Sequence, residues 1–181
     1  MKRIIHKLFW VWDFDKEETW LNEMAKKGLH LTEVGFCKYT FEEGAPEAYS
    51  VRLELLDNVI THKKSRAYIS FVEETGAEYV GSILRWVYFR KKTAEGSFDL
   101  FSDIDSRITH LKRVLLLIGI IGVMELYCGV VNGILQLLEN GTSFNLLITV
   151  LSLVITLLFV YGFARVFKKY NRLKKERIWH E

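Results

Sequence analysis

Two apolar stretches determine the architecture of this chain: VLLLIGIIGVMELYCGVVNGILQLL at residues 114–138 and FNLLITVLSLVITLLFVYGFARVF at residues 144–167. A helix needs about 20 predominantly apolar residues to cross a bilayer, and each stretch is longer than that. Residues 139–143 are all that separates them. A turn this short forces the second helix straight back, so the pattern predicts a transmembrane hairpin with an external turn.

Basic residues flank this hairpin and are absent from its turn. Before the first span stand Arg107, His110, Lys112 and Arg113; at the end of the second span and after it stand Arg165, Lys168, Lys169, Arg172, Lys174, Lys175 and Arg177. The positive-inside rule therefore predicts two cytoplasmic termini in a multi-pass membrane protein. Residues 168–181 form a basic cytoplasmic tail that we expect to contact anionic lipid. A net charge of +3 is too small to indicate direct nucleic-acid binding.

Residues 1–92 predict a cytoplasmic α+β domain with the order β-α-β-β-α-β. The predicted strands are 3–14, 30–42, 49–55 and 78–91, and the predicted helices are 15–27 and 61–74. This order is typical of the ferredoxin-like fold, in which both helices cover one face of a four-stranded antiparallel sheet. The first and last strands would be neighbours at its centre. Residues 93–113 predict a helical connector that leads into the first span.

Four segments carry a resemblance to a known family. They are WLNEMAKKGL at 20–29, GFCKYTFE at 35–42, LRWVYFRKK at 84–92 and FDLFSDIDSR at 98–107. Together they resemble the bacterial membrane-protein family catalogued as domain of unknown function 2812, over about residues 5–113. The resemblance implies a bacterial cell-membrane protein, often encoded beside a PadR-type transcriptional regulator. That regulator is a candidate cytoplasmic partner by family association only. The resemblance implies no activity, cofactor or catalytic residue.

An aromatic sheet face is the first candidate site. Its predicted members alternate along the strands and leave one face open: Trp10, Trp12, Arg52, Glu54, Trp86 and Tyr88. An exposed apolar face of this kind marks an interface or a ligand groove. The alternatives are a face covered by the connector or by a second copy, and a nucleic-acid surface. The last lacks the Gly-aromatic signature of RNA-recognition motifs.

A polar stripe inside the predicted spans is the second candidate site. It comprises Glu125, Asn132 and Gln136 on the first span and Asn145, Thr149, Ser152 and Thr156 on the second. An ionisable residue within a membrane span is a functional-site hypothesis by default. The stripe also contains a small-xxx-small motif, Gly129 and Gly133, so these groups can instead join the helices. A proton or ion pathway and a sensory or oligomer-forming role stay open.

Catalytic and metal-binding patterns are not evident in the sequence. The five histidines are dispersed, and Cys37 and Cys128 lie far apart. We therefore expect no cofactor, no metal and no enzymatic activity. The sequence predicts a membrane-anchored interaction or regulatory protein whose cytoplasmic domain binds a partner or small ligand, with the bilayer and further copies of the chain as other partners. The alternative is a subunit of a membrane transport or export complex.

Overall fold

A computed structural model describes residues 1–101, 103–138 and 143–180, without the side chains of residues 143, 179 and 180. The chain divides into two compact units, Met1–His110 and Leu111–Glu181. The fold is α+β, with two three-stranded sheets followed by two long apolar helices. The two units differ in secondary structure. The first contains strands and amphipathic helices, and the second contains long apolar helices.

The first unit consists of two successive strand-helix-strand-strand modules. Module 1 contains β1 (Lys2–His6), α1 (Phe14–Lys26), β2 (Leu29–Gly35) and β3 (Lys38–Glu43). Module 2 contains β4 (Tyr49–Leu55), α2 (Lys63–Glu74), β5 (Glu78–Ile83) and β6 (Trp86–Lys92). The strand orders are β1-β3-β2 and β4-β6-β5, and every pairing is antiparallel. The two modules therefore share one connectivity.

Equivalent positions in the two modules stand 48 residues apart. Gly28 and Gly76, at this spacing, both follow a helix and both have positive φ, 76° and 88°. Such a φ favours glycine because it lacks a Cβ. Phe41 and Phe89, at the same spacing, are both fully buried. The register irregularity after Leu31 in β2 also has its counterpart after Tyr79 in β5. The first unit is thus an internal structural repeat.

Two predicted long strands are wrong, because each is a hairpin. The stretch predicted as one strand at 30–42 turns at Phe36 and Cys37, and the stretch at 78–91 turns at Leu84 and Arg85. Cys37 and Leu84 adopt left-handed φ values of 52° and 57°. Such values are uncommon outside glycine, asparagine and aspartate, so neither turn is marked by its residue type. The first strand is also shorter than predicted and ends at His6.

The ferredoxin-like order is not confirmed. The first and last strands, β1 and β6, lie in different sheets, and the unit has six strands instead of four. The helices also approach the second sheet from opposite sides. Val87 and Phe89 pack in one buried cluster with Ile69 of α2. Tyr88 points to the other side, since side chains alternate along a strand, and there it contacts Glu17 of α1.

The second unit is formed by α3 (Ile104–Leu138), which begins at the end of the first unit, and α4 (Ser143–His180). Residues 139–142 of the predicted turn lie outside the described residues. Within the predicted connector, Thr93–Glu95 form one short 3-10 turn, and the α-helix begins only at Ile104, after which α3 runs unbroken through the first apolar stretch. The basic tail continues α4 as helix as far as His180. Both helices are long and apolar enough to span a membrane, and most of their large apolar side chains are exposed.

Candidate functional site

The predicted aromatic face is mostly covered in the first unit. Trp12 and Tyr88 are only 4% and 3% exposed, whereas Trp10 is 46% exposed and stacks on Trp12 with ring centroids 5.1 Å apart. Trp86 contacts the His110 ring at 5.7 Å between centroids. His110 belongs to the first turns of α3, so the end of the predicted connector covers part of this face. Of the aromatic rings predicted for this face, all of which the structure describes, Trp10 is the most exposed.

Arg52 and Glu54 do not share a face with Trp86 and Tyr88, and their predicted grouping is wrong. In the β4-β6 ladder Arg52 lies opposite Phe89 and Glu54 lies opposite Val87. Residues opposite each other in an antiparallel pair project to the same side of the sheet. Glu54 is buried there and accepts a 2.5 Å hydrogen bond from the Tyr68 hydroxyl of α2. The prediction placed the even-numbered residues of β4 and β6 on one face. In the structure the even-numbered residues of β4 share a face with the odd-numbered residues of β6.

A buried carboxylate lies at the centre of the first unit. Glu17 projects from α1 and is 8% exposed. Its Oε1 accepts a hydrogen bond from the Tyr39 hydroxyl of β3 at 2.7 Å and another from the Tyr88 hydroxyl of β6 at 2.6 Å. One oxygen therefore joins the helix to both sheets. A buried polar group is costly unless it is hydrogen-bonded, so these two bonds favour the arrangement in which the modules lie together.

Burial changes the acidity of all three groups. It raises the pKa of Glu17, while the hydrogen bonds from Tyr88 and Tyr39 oppose the increase without cancelling it. Burial first, and then the neighbouring carboxylate, raises the pKa of both tyrosine hydroxyls far above their usual range. The tyrosines therefore stay neutral donors at any physiological pH. Glu17 is the group of the three that can change its charge, and a perturbed buried carboxylate is a functional-site candidate.

Side chains of the same helix, α1, also hydrogen-bond the backbone groups at the free edge of β4. The Asn22 side chain donates to the Val51 carbonyl and accepts from the Val51 amide, both at 2.9 Å. Glu18 Oε2 accepts from the Leu53 amide at 3.2 Å, and its other oxygen lies 3.5 Å from the Arg52 guanidinium. An unpaired strand edge is a template for unwanted pairing. The α1 side chains thus act as a substitute strand along β4.

Aromatic rings surround the imidazole of His110, which is 2% exposed. Phe14, Trp86 and Phe101 place their ring centroids 5.2, 5.7 and 5.0 Å from it. Aromatic pairs at such distances add stability beyond the area that they bury. This cluster fixes Trp86 and the first turns of α3 against the core of the first unit.

The predicted intramembrane stripe falls on the packed side of the hairpin. Ser152 and Thr156 are buried, whereas Glu125, Asn132 and Gln136 are half-buried. The described hydrogen bonds of this stripe run within one helix: Asn132 donates to the Cys128 carbonyl at 2.8 Å, and Thr149 donates to the Asn145 carbonyl at 2.9 Å. A side chain reaches the carbonyl of the preceding turn easily, and this satisfies Asn132 and Thr149 within their own helices.

Glycines make the direct contact between α3 and α4. A Cβ at Gly129 would lie 3.0 Å from Ser152 Cβ, and a Cβ at Gly133 would lie 3.5 Å from Thr149. The small-xxx-small motif therefore permits close approach of the two backbones. Among residues 1–101, 103–138 and 143–180, no group of three His, Cys, Asp or Glu side chains is placed to hold a metal ion.

The sequence prediction missed Glu17 and Tyr39, although a signal was present. The buried positions of α1 are Phe14, Glu17, Leu21, Met24 and Ala25. Their spacing is that of one helix face. A glutamate within such an apolar face is the informative exception, because a charged side chain is buried only with partners. Its tyrosine partners come from strands that follow in sequence, and their convergence needs the tertiary fold.

The family described as "Protein of unknown function (DUF2812)" matches residues 13–123 of the chain. No curated protein and no solved structure matches the chain. The match leaves out β1 but covers the rest of module 1, all of module 2 and the first half of α3. It therefore covers more than half of the chain. The protein therefore belongs to the DUF2812 family.

Proposed function

We propose that this chain is a non-enzymatic, membrane-anchored interaction or regulatory protein of the bacterial cell membrane. Its first unit, Met1–His110, lies in the cytoplasm and binds a protein partner or a small ligand. The observation that carries the proposal is the pair of helices α3 and α4, whose apolar side chains are exposed along most of their length. Such a surface is stable in lipid and costly in water.

The dimensions of the helices support this location. α3 has 35 residues and is about 52 Å long at 1.5 Å per residue. The hydrocarbon core of a bilayer is about 30 Å thick, so each helix is long enough to span it and extend beyond it. The extension of α4 contains Lys168, Lys169 and Arg172. Basic residues at this end favour the cytoplasmic side, and the turn between the spans has none.

A binding role for the first unit is supported by how it uses its buried and half-buried polar groups. Glu17, Glu18, Asn22 and Glu54 each hydrogen-bond other parts of the same unit. These groups stabilise the two modules and are committed to the fold. The exposed Trp10 edge then remains as the place where a partner or ligand acts. A PadR-type regulator is the partner that family association favours.

A transport or export subunit is the second candidate function. Glu125, half-buried on the packed side of α3, favours it, because an ionisable residue at mid-span is costly without a role. The test is Glu125→Gln, which keeps the shape and much of the hydrogen bonding. We expect normal accumulation and normal cellular function for an anchor. Loss of function with normal accumulation would favour the transport candidate.

Purification of the full-length protein in mild detergent tests the binding role. We expect a soluble protein, a small ligand or a further copy of the chain to co-purify, and we expect Trp10→Ala to reduce this more than Trp20→Ala, which lies among module 1 rings. Stable co-purification of other membrane chains would instead support the transport candidate.

Reporter fusions at residue 112, at residue 141 and at the C-terminus test the topology. An external signal from the first or last fusion contradicts it.

A further inference from the structure

An apolar groove runs along one side of the hairpin, within the second unit. It has a volume of about 600 Å³ and is lined by α3 from Lys112 to Met124, with Phe163 of α4 as its wall. Its floor is Gly119, where an added Cβ would have the Phe163 ring as its nearest neighbour, at 3.6 Å. The missing side chain at this position leaves the depression open.

Lys112 stands at one end of the groove, and the rest of the lining is apolar. Lys112 is exposed, and its methylene stem lines the groove while its ammonium group can reach the aqueous boundary. Towards Met124 the remaining lining is aliphatic or aromatic. A ligand that fits therefore has a long apolar part and an anionic end.

The length of the groove agrees with one leaflet of a bilayer. The twelve steps from Lys112 to Met124 correspond to about 18 Å along the helix. One leaflet contributes about 15 Å of hydrocarbon, half of the bilayer core. If Lys112 stands at the cytoplasmic boundary, Met124 stands near the bilayer midplane.

Further cations stand at the depth of Lys112. Gly119 of α3 and Phe163 of α4 lie at the same depth. The helices are antiparallel, so Lys112, seven residues before Gly119, lies at about the depth of Tyr170, seven residues after Phe163. Lys168 therefore lies within one turn of the level of Lys112 and is exposed. Clusters of basic residues at the cytoplasmic surface attract anionic lipid headgroups, at about 1 kcal/mol per residue.

From these observations we propose that the groove is a binding site for an anionic phospholipid of the cytoplasmic leaflet. One acyl chain lies along α3 over Gly119, and the phosphate lies at Lys112. The inference rests on the proposed membrane location and adds a ligand class to it. A groove of this volume is within the range of small-molecule sites, and charge and length together select a lipid over a second helix.

The test uses the full-length protein reconstituted into vesicles of phosphatidylglycerol and phosphatidylcholine in equal amounts. After extraction in mild detergent, the lipids that co-purify are quantified by mass spectrometry. We expect phosphatidylglycerol to be enriched over phosphatidylcholine. Lys112→Gln should reduce the enrichment about fivefold, the equivalent of one basic contact. The matched control Lys174→Gln removes the same charge outside the groove and should leave the enrichment near that of the wild type.

A second pair of variants tests the apolar part of the site. Val123→Trp fills the groove, and we expect it to lower the retention of both lipids. Val130→Trp adds the same ring to α3 outside the groove and should retain lipid as the wild type does. Both valines are exposed, so neither change disturbs the contact between α3 and α4.

Three results would overturn the proposal. One is equal loss of enrichment in Lys112→Gln and Lys174→Gln, which indicates surface potential alone. Another is unchanged lipid retention in Val123→Trp. The last is a lipid-free dimer that Val123→Trp converts to a monomer, which indicates a second copy in the groove. Alkaline carbonate extraction distinguishes failure of the proposed membrane location from failure of the lipid site. Release of the chain from membranes refutes the membrane location. Retention of the chain, together with any of the three results above, refutes the lipid site alone.

Discussion

The hydroxyls of Tyr39 and Tyr88 converge on the same carboxylate oxygen of Glu17, although Tyr39 lies in the sheet of module 1 and Tyr88 lies in the sheet of module 2. This junction is where helix α1 ties one module to the other. The buried carboxylate is therefore a device for holding an internal repeat together, and its energetic role can be measured.

Removal of one tyrosine hydroxyl should weaken the first unit. Tyr88→Phe deletes a donor to the buried Glu17 and should lower the free energy of unfolding by about 1–3 kcal/mol, the range for a buried group that loses a hydrogen-bond partner. Denaturant unfolding of the full-length protein in detergent, followed by tryptophan fluorescence, measures it. Tyr79→Phe, on β5, is the matched control. Equal stability of the two variants would show that the Glu17 junction contributes little.

The charge of Glu17 should make stability depend on pH. Its pKa is raised in the fold, mainly by burial, so the protonated form is favoured there relative to the unfolded chain. This contribution is fully present below the unfolded value, about 4.3, and is lost as the pH rises through the raised pKa. The unfolding free energy of the wild type should thus fall over that window relative to Glu17→Gln, which cannot ionise.

Glu23→Gln, at an exposed position of the same helix, is the control for that measurement. Its pH profile should follow the wild type. A Glu17→Gln profile parallel to the wild type across the window would mean that Glu17 does not titrate there.

The cap that α1 places on the edge of β4 predicts a further effect. Asn22→Ala removes both side-chain hydrogen bonds to Val51 and leaves that edge without them. We expect a loss of about 1–3 kcal/mol in the free energy of unfolding. Thr19→Ala removes only a bond to Asp15 of the same exposed helix face, and should cost less. A smaller effect of Asn22→Ala than of Thr19→Ala would refute the edge-capping role.

Much of the helical structure was predictable from the sequence. The apolar stretches at 114–138 and 144–167 fall within α3 and α4, and the two amphipathic helices of the first unit were placed within a few residues. Uninterrupted apolar composition and the 3.6-residue period are local signals, so they need no tertiary information. The family resemblance is confirmed by the match over residues 13–123.

The sheet arrangement was not predicted, because its turns carry no local signal. Cys37 and Leu84 hold the positive φ that glycine or asparagine usually provides. Two clues were nevertheless available. Strands of 13 residues or more exceed the usual five or six, and Gly28 and Phe41 recur as Gly76 and Phe89 at one spacing. The grouping of Arg52 with Trp86 failed for the same reason, since a strand's orientation depends on the register set by its turns.

Packing of the hairpin predicts that two identical glycine changes will differ. At Gly129 a Cβ would lie 3.0 Å from Ser152 Cβ, whereas at Gly119 it would lie 3.6 Å from the Phe163 ring. Gly129→Ala should therefore lower the thermal midpoint in detergent, with an overpacking cost of about 1–3 kcal/mol. Gly119→Ala should leave it unchanged or raise it. The reverse order would contradict the packing of α3 on α4.

Labelling with a membrane-impermeant maleimide tests the central claim, a chain anchored by a hairpin with its first unit in the cytoplasm. Cys37 is partly exposed on the first unit, and Cys128 lies within the first predicted span. In a Cys128→Ser background, Cys37 should react only after the cells are permeabilised. Asn140→Cys, in a chain with both native cysteines replaced by serine, should react in intact cells. Labelling of Cys37 in intact cells, with Asn140→Cys protected until permeabilisation, would contradict the account.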